Sequence, residues 1–210
     1  MLDMDGVLVD GEPLHFEAVN ALLREEGRSI SLEEYKPFMG TKSGWRELIG
    51  QLGLQHPYEH YRDRYAPLMV EQYRDRSTPL PGAVDLVLNL RASRMPMAVC
   101  SSSIAQWVEA ALLSIGLTGA FDRIVSGDQV ENGKPAPDIY LEASRQLGVN
   151  PARCLAIEDS PAGIQSARAA GMTTWAVRTP YTRGLTLPPN DGEVETLADI
   201  RLGDILGVAA

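Results

Sequence analysis

Cysteine and long apolar segments are both scarce in this 210-residue sequence. The two cysteines, Cys100 and Cys154, each lie within a short apolar run that is typical of a buried strand. We therefore expect small core residues in a reducing compartment and no structural disulfide. No stretch approaches the roughly 18 apolar residues of a membrane helix, and the acidic N-terminus lacks the basic region of a signal peptide. These absences predict a cytoplasmic protein with no membrane partner.

Basic residues are fewer than acidic ones, with 19 Lys and Arg against 28 Asp and Glu and a formal net charge of −9. Nucleic acids and anionic membranes select basic patches, so this balance argues against a nucleic-acid partner. It is compatible with a phosphorylated substrate, because a bound metal ion and a few local cations reverse the sign of the charge within one pocket. The length suits one large domain or a core with a substantial insertion, and we expect a monomer.

The first third of the chain has a helical pattern. Ser31 and Glu34 have the spacing of a capping box for a short helix that ends near Gly40. The Tyr and Arg residues of the last helix in this block are interpreted as a charged outer face. Helices are predicted over residues 12–27, 31–40, 42–52 and 58–76.

After residues 79–82 (Pro-Leu-Pro-Gly), strands alternate with helices, which predicts a doubly wound, mostly parallel sheet of the Rossmann-like α/β class. The segment that ends at Asp5 supplies a first strand, and the insertion after it is far longer than the roughly 30 residues of a simple crossover. We therefore predict an α/β core formed by residues 1–10 and 79–210 and an inserted α-helical cap formed by residues 11–78. The predicted strands span 96–101, 123–126, 153–157 and 173–177, and the predicted helices span 83–94, 104–115, 137–147 and 161–170.

The first strand ends in two carboxylates, Asp3 and Asp5, which period-two alternation directs to the same side. Two like charges side by side repel each other unless a cation lies near them, and Mg²⁺ is a hard ion that prefers oxygen ligands. One carboxylate then suits a nucleophile and the other a proton carrier. Taken alone, Asp-x-Asp-Gly is more typical of a surface turn than of a catalytic pair. Only Met1 and Leu2 precede Asp3, so either this strand is truncated or the given sequence starts late.

Three later strand ends supply partners for this pair. Ser101, Ser102 and Ser103 follow one strand, Lys134 lies in a Gly-Lys-Pro-Ala-Pro-Asp loop after the next, and the strand 153–157 ends in Glu158 and Asp159. Ligands of such sheets bind outside the carboxyl ends of the strands, so these groups are expected at one edge. Their convergence favours a functional site over a surface turn.

Each group suits phosphoryl transfer, which depends mostly on positioning and on stabilising charge. Ser101 donates its hydroxyl and nearby amides to the phosphoryl oxygens, helped by the start of the following helix. Lys134 supplies a compact positive charge that bridges the phosphate and Asp3. The predicted Mg²⁺ ligands are the carboxylates of Asp3, Glu158 and Asp159 and the backbone carbonyl of Asp5.

Two serines have structural interpretations. Ser103 and Gln106 have the spacing of a capping box, which favours a helix cap over a catalytic group for Ser103. Ser160 and Pro161 are a good N-cap and first-turn pair whatever the function.

With these motifs the chain resembles the haloacid dehalogenase superfamily, in its phosphatase and phosphomutase branch. The segments that carry the resemblance are DMDGVLVD, the serine run of AVCSSS, GKPAPDIYLEAS and IEDSPAGIQSARAAGM, in the family's order. The resemblance implies an aspartyl nucleophile at Asp3 and a general acid/base at Asp5. A second aspartate and Mg²⁺ are absent from the dehalogenase branch, so Asp5 excludes that chemistry.

The resemblance also implies phosphate binding by Ser101 and Lys134, and a metal ligand at Asp159, with Glu158 either a ligand or next to the ligands. Ser102, beside Ser101, is a further predicted substrate-binding residue. It implies that the helical cap closes over the site, excludes bulk water and selects the substrate. Gly11 stands where relatives often have serine or threonine, which is expected to loosen the hinge into the cap.

Within the cap, His15 and Lys42 are the candidate substrate-binding residues, with Arg46 as a second cation. His15 lies one helical turn after the hinge, where it faces either the site or solvent. Lys42 belongs to a Phe-Met-Gly-Thr-Lys loop that is similar to the substrate loop of related caps. Against both cations stands a solvated helix face, the usual place of such residues.

Three functions fit these motifs. The first is a Mg²⁺-dependent phosphatase of a small phosphorylated metabolite, with a sugar phosphate as the expected substrate. The second is a β-phosphoglucomutase-like enzyme that uses the same aspartyl phosphate. The third is a receiver-type signalling domain, which has a similar set of residues on a doubly wound sheet but lacks an inserted cap and is phosphorylated after a later strand.

Overall fold

The computed structural model describes residues 1–38 and 44–209. Within them, five parallel strands form two groups that Leu2 joins, because Leu2 bridges Val99 on one side and Ile157 on the other. The order across the sheet is β2, β1, Leu2, β3, β4, β5, which confirms the predicted doubly wound α/β fold. The strands are β1 (Ala98–Ser101), β2 (Arg123–Ser126), β3 (Leu155–Glu158), β4 (Thr173–Val177) and β5 (Gly192–Val194).

The predicted first strand is reduced to one bridged residue at the centre of the sheet. The Leu2 amide donates to the Ala98 carbonyl at 2.9 Å, and the Leu2 carbonyl accepts from the Cys100 amide at 2.9 Å. On the other side, the Asp3 amide donates to the Ile157 carbonyl at 3.1 Å. Hydrogen bonds on both sides therefore fix the backbone that carries Asp3.

Most helices agree with the sequence pattern to within a few residues. The first ends at Arg24, before the predicted residue 27, and the second ends at Tyr35 and continues as a 3-10 turn over Lys36–Phe38, while its predicted end near Gly40 lies outside the described residues. The capping box of Ser31 and Glu34 is confirmed. In the described part of the chain, no helix has the length and apolarity to cross a membrane. The described helices are α1 (Glu12–Arg24), α2 (Leu32–Tyr35), α3 (Gly44–Leu52), α4 (Tyr58–Arg76), α5 (Ala83–Ala92), α6 (Ala105–Ser114), α7 (Asp138–Leu147), α8 (Pro161–Ala169) and α9 (Leu202–Ala209).

Both faces of the sheet are covered, as the doubly wound fold requires. Ala98 and Cys100 of β1 belong to one buried cluster, and Val99 between them belongs to the other. This alternation follows from the period of two along a strand. Cys100 and Cys154 are buried with free thiols, which confirms their interpretation as small core residues.

The helical block 12–76 leaves and rejoins the sheet at one point. Val9 and Pro79 form an antiparallel bridge, and the Leu80 amide donates to the Leu8 carbonyl at 2.9 Å. α4 packs against α1 and against α6 of the core. A cap formed by residues 11–78 would leave the core and return to it at one point, as these contacts do. The exact boundaries stay a prediction.

The interpretation of α4 as a charged outer face is wrong for its tyrosines. Tyr61, Tyr65, Met69 and Tyr73 are buried, while the arginines of the helix are exposed. Residues four apart lie on one side of a helix, so this row forms a single ridge against α1 and α6. The consequence is that α4 directs tyrosine hydroxyls inward.

Candidate active site

The polar strand ends meet at one edge of the sheet and line a cavity of about 760 Å³ between the core and the helical block. Their convergence agrees with the position expected for ligands of a doubly wound sheet. Lys42 lies outside the described residues. The lining from the core includes Asp3, Asp5, Ser101, Ser102, Lys134 and Asp159, and the lining from the helical block includes His15, Tyr35, Tyr58 and Tyr65.

Lys134 joins two of the carboxylates. Its Nζ lies 3.0 Å from Asp3 Oδ1 and 2.5 Å from Glu158 Oε1, and it donates to the Cys100 carbonyl at 2.9 Å. The lysine side chain is only 2% exposed. Burial by itself lowers the pKa of Lys134, but the charges of Asp3 and Glu158 outweigh it and raise the pKa above its usual value. The lysine is therefore a permanent cation at the base of the cavity.

Three carboxylates surround that base. Oxygens of Asp3, Glu158 and Asp159 lie within 4.8 Å of one another. Burial raises the pKa of Asp3 from its ordinary value near 3.8 to about 8, with the charge of Glu158 as the second cause. Burial also raises the pKa of Asp159, with Asp3 as the second cause. An all-oxygen cluster that resists ionisation by itself is the donor set that suits a hard divalent cation.

Two glycines make room for this cluster. A Cβ at Gly6 would overlap the Asp159 carboxylate, and Gly6 also has a φ of +77°, which favours glycine. A Cβ at Gly163 would overlap the Glu158 carboxylate. Glycine at both positions therefore lets the Asp159 and Glu158 carboxylates pack directly against the backbone.

The Asp5 carboxylate does not belong to this cluster. Its Oδ1 accepts a hydrogen bond from the Tyr73 hydroxyl at 2.7 Å, and its Oδ2 accepts one from the Ser103 hydroxyl at 3.2 Å. Burial raises the pKa of Asp5 to about 6, while these two hydrogen bonds lower it. A carboxyl group with this pKa can exchange a proton near neutral pH. A metal-binding contribution from its backbone carbonyl stays a prediction.

The capping role predicted for Ser103 is wrong. The residue that caps α6 is Ile104, with no side-chain hydrogen bond, and the Ser103 hydroxyl reaches Asp5 across the sheet edge. α6 begins at Ala105, so Ser103 lies one position before the N-cap, and its hydroxyl is the donor to the buried Asp5 carboxylate. The Ser103 amide instead donates to Ser101 Oγ at 3.1 Å.

His15 faces the site, but both of its ring nitrogens are engaged. Nε2 lies 2.8 Å from the Tyr73 hydroxyl, and Nδ1 lies 2.5 Å from the Tyr65 hydroxyl. Burial lowers the pKa of His15 to about 4. A direct hydrogen bond from a ring nitrogen to a substrate would require one of these contacts to break, and the predicted substrate-binding role stays a prediction.

The residues that the motifs did not reveal are aromatic. Tyr65 and Tyr73 on α4 and Trp107 on α6 enclose His15, with ring-centroid distances of 6.0, 5.6 and 5.6 Å. Their signal in the sequence is the four-residue spacing of tyrosines along α4, which identifies an inward ridge but not its contact with Asp5.

Comparison with known proteins decides the family. The model of the haloacid dehalogenase-like hydrolase family matches residues 1–177. The chain belongs to this family. The predicted resemblance is confirmed, and its phosphatase relatives confirm the prediction of a hydrolase of the phosphatase type.

Three relatives illustrate the range of this family. Fructose-1-phosphate phosphatase YqaB of Escherichia coli is 35% identical over 182 residues, which are 85% of this chain and 95% of that protein. SUPPRESSOR OF QUENCHING 1, a chloroplastic protein of Arabidopsis thaliana, is 33% identical over 98% of this chain, which spans only 20% of that protein. A mutant of CbbY from Rhodobacter sphaeroides in complex with xylulose-(1,5)bisphosphate has a TM-score of 0.86, 27% identity and coverage of 94% and 93% of the two chains.

Proposed function

We propose that this haloacid dehalogenase-like hydrolase is a Mg²⁺-dependent phosphatase that hydrolyses a small sugar phosphate through an aspartyl-phosphate intermediate. The observation that carries the proposal is the position of Asp3. Its carboxylate lies 3.0 Å from the buried Lys134 ammonium, beside Glu158 and Asp159 and at the base of a cavity. A nucleophile, a fixed cation and a set of oxygen ligands are what phosphoryl transfer to an aspartate requires.

In the first step, an Asp3 oxygen attacks phosphorus while the bond between phosphorus and the ester oxygen breaks. Asp5 gives its proton to the departing alcohol, and the phosphoryl group is then carried by Asp3. In the second step, Asp5 takes a proton from a water molecule that attacks the same phosphorus. Inorganic phosphate leaves, and Asp3 and Asp5 return to their starting states. Lys134 stabilises negative charge on the transferred oxygens throughout.

Mg²⁺ would be held by the carboxylates of Asp3, Glu158 and Asp159, together with the Asp5 backbone carbonyl. When bound, it supplies positive charge that offsets both the carboxylates and the phosphoryl oxygens. Ser101 and Ser102 line the cavity beside Lys134 and are the proposed donors to the phosphoryl group.

A sugar phosphate is the proposed substrate class because the cavity is larger than a phosphate alone and has aromatic walls. Tyr35, Tyr65 and Trp107 present ring surfaces that suit the C–H faces of a sugar. The E. coli relative is named for fructose 1-phosphate, and the Rhodobacter neighbour was solved with a sugar bisphosphate. Both names support the same class.

The test is a phosphate-release screen over phosphorylated sugars and polyols with Mg²⁺, starting from fructose 1-phosphate. Glucose 1-phosphate with a trace of glucose 1,6-bisphosphate separates the alternative, a sugar phosphomutase. Free phosphate supports the phosphatase, whereas accumulation of glucose 6-phosphate without free phosphate would establish the mutase. No turnover of any ester would refute both. The monomeric state, the cytoplasmic location and the absence of a nucleic-acid partner stay predictions.

Mg²⁺ is expected to stabilise the protein more at pH 8 than at pH 5. The pKa of Asp3 is near 3.8 when unfolded and about 8 when folded, so the folded, metal-free protein binds the extra proton. The stability that this proton on Asp3 contributes is fully present below pH 3.8 and is lost as the pH rises towards 8. A metal ion competes with that proton, so its effect grows with pH.

The measurement is thermal unfolding with chelator and with Mg²⁺ at both pH values. At a concentration 100 times its dissociation constant, the ion adds about 2.7 kcal/mol to the free energy of unfolding. Asp159→Asn should remove most of the gain, and Asp85→Asn, on the exposed side of α5, should leave it intact. An equal gain in the Asp159 variant would contradict the ligand assignment.

A further inference from the structure

The Asp5 carboxylate ends a chain of hydrogen bonds that begins in the helical block. Tyr65 of α4 contacts His15 Nδ1 at 2.5 Å, His15 Nε2 contacts the Tyr73 hydroxyl at 2.8 Å, and Tyr73 contacts Asp5 at 2.7 Å. Tyr73 is fully buried, and Tyr65 is nearly so. Trp107 of α6 packs against the rings of His15 and Tyr65 at centroid distances of 5.6 Å each. The chain is therefore held by the core as well as by α1 and α4.

The direction of these bonds follows from the number of protons. Asp5 Oδ1 accepts from Tyr73 whether the carboxyl group is ionised or carries its proton on Oδ2, so the single Tyr73 proton is donated to Asp5. The Tyr73 oxygen must then accept from His15, which places the imidazole proton on Nε2. The bare Nδ1 accepts the Tyr65 proton. One neutral tautomer of His15 thus satisfies every member, and the low pKa of His15, caused by burial, agrees with a neutral ring.

Gly11 provides the space for this arrangement. A Cβ at Gly11 would overlap Asp5 Oδ1 and would crowd the Tyr73 hydroxyl. The glycine found at the hinge therefore permits close contact between the carboxylate and α4. The sequence led us to expect that Gly11 loosens the hinge. In the structure its absent side chain leaves room for the contact between Asp5 and Tyr73.

We propose that Tyr73 is a positioning residue for Asp5, and that His15 and Tyr65 orient Tyr73 by fixing where its proton lies. The inference rests on the proposed function, in which Asp5 protonates the leaving alcohol. In-line attack by Asp3 sends that alcohol away from Asp3, towards the helical block, and Tyr73 holds the acid on that side. Because Tyr73 belongs to α4, the placement of the acid depends on how the helical block sits on the core.

Tyr73→Phe removes one hydroxyl and tests the proposal through the leaving group. An alkyl phosphate needs a proton on its leaving oxygen, whereas 4-nitrophenyl phosphate does not. The ratio kcat/KM covers the steps up to release of the alcohol, so it isolates this proton transfer from later hydrolysis. We expect kcat/KM to fall about 10- to 100-fold for a sugar phosphate and less than about 3-fold for 4-nitrophenyl phosphate. Equal losses on both esters would overturn the proposal.

Tyr61→Phe is the matched control, because Tyr61 is a buried tyrosine of the same helix whose hydroxyl contacts Glu26 outside the cavity. Tyr61→Phe should change kcat/KM by no more than about 2-fold for either the sugar phosphate or 4-nitrophenyl phosphate. If it reproduced the Tyr73→Phe pattern, the effect would be a general loss of α4 packing and the proposal would be wrong.

A second readout is independent of activity and of metal. The ¹⁵N spectrum of the histidine rings in the metal-free protein, assigned with His15→Gln, should show the Nε2–H tautomer of His15 at neutral pH. Tyr73→Phe should shift the His15 signals, and Tyr61→Phe should not. The Nδ1–H tautomer in the unaltered protein would overturn the proposed chain. If no phosphate ester is hydrolysed, the proposed function fails, and this spectrum still decides whether the chain exists.

Discussion

Asp3→Asn is expected to lower phosphate release on the order of 10⁴-fold or more, because an amide cannot attack phosphorus as the carboxylate does. The side chain keeps its shape, and the pKa of Asp3 is already raised to about 8 by burial and by Glu158. Replacing it with a neutral group therefore removes repulsion in the metal-free protein, and the variant should fold. Loss of activity with retained or increased thermal stability is the expected pair of results.

The measurement combines steady-state phosphate release with intact mass after acid quenching. The unaltered protein should gain the mass of one phosphoryl group during turnover, and the variant should not. Asp85→Asn makes the same chemical change on an exposed helix and should keep both signals. Metal-dependent phosphate release that survives Asp3→Asn would refute the nucleophile assignment and with it the proposed mechanism.

Lys134→Met is expected to reduce both stability and activity. The lysine is paired with Asp3 and Glu158 at 3.0 and 2.5 Å, and breaking a buried pair by removing one partner costs about 3–5 kcal/mol. Loss of its charge from the phosphoryl site should lower kcat/KM by about 10²–10³-fold. Methionine retains most of the side-chain volume, so the loss reports the charge more than a cavity.

Urea unfolding in chelator at pH 5 and pH 8 measures the stability term. The raised pKa of Lys134 keeps the lysine charged at both values, so its contribution is fully present in this window. In the Lys134→Met variant, a proton on Asp3 removes part of the cost of an unpaired buried charge, and this proton binds more readily at pH 5. The loss should therefore be smaller at pH 5 than at pH 8. Lys36→Met is the control, because its exposed pair with Glu33 contributes little. Equal losses of unfolding free energy in Lys134→Met and Lys36→Met would contradict the stabilising role of the buried Lys134 pairs.

Much of the fold was predictable, because the helical and strand periods are local properties of the chain. The predicted bounds of α4, β2 and β4 match the structure residue for residue. β5 and α9, which have no predicted counterpart, are short and lie near the end of the chain. β5 has three residues and exists because β4 offers it an edge to pair with.

The candidate site likewise has residues that the sequence placed correctly and residues whose contacts only the structure shows. Strand ends of a parallel sheet must share an edge, so the chain order alone placed Asp3, Ser101, Lys134 and Asp159 together. The prediction for Ser103 failed because α6 begins at Ala105, which makes Ile104 its N-cap, and only the folded chain brings Asp5 within reach of the Ser103 hydroxyl. The tyrosines of α4 were misjudged for a similar reason, since their spacing defines a ridge without naming what it faces.

The sequence by itself determined the opening pair of aspartates, the class of the sheet and the residues at its edge, because each depends on spacing within short segments. Only the tertiary structure decided that Asp5 turns away from the other carboxylates towards Tyr73. That contact joins residues 68 positions apart and needs the space at Gly11, the ridge of α4 and the closure of the helical block on the core. Such a contact has no local signature, because its energy comes from groups that meet only after folding.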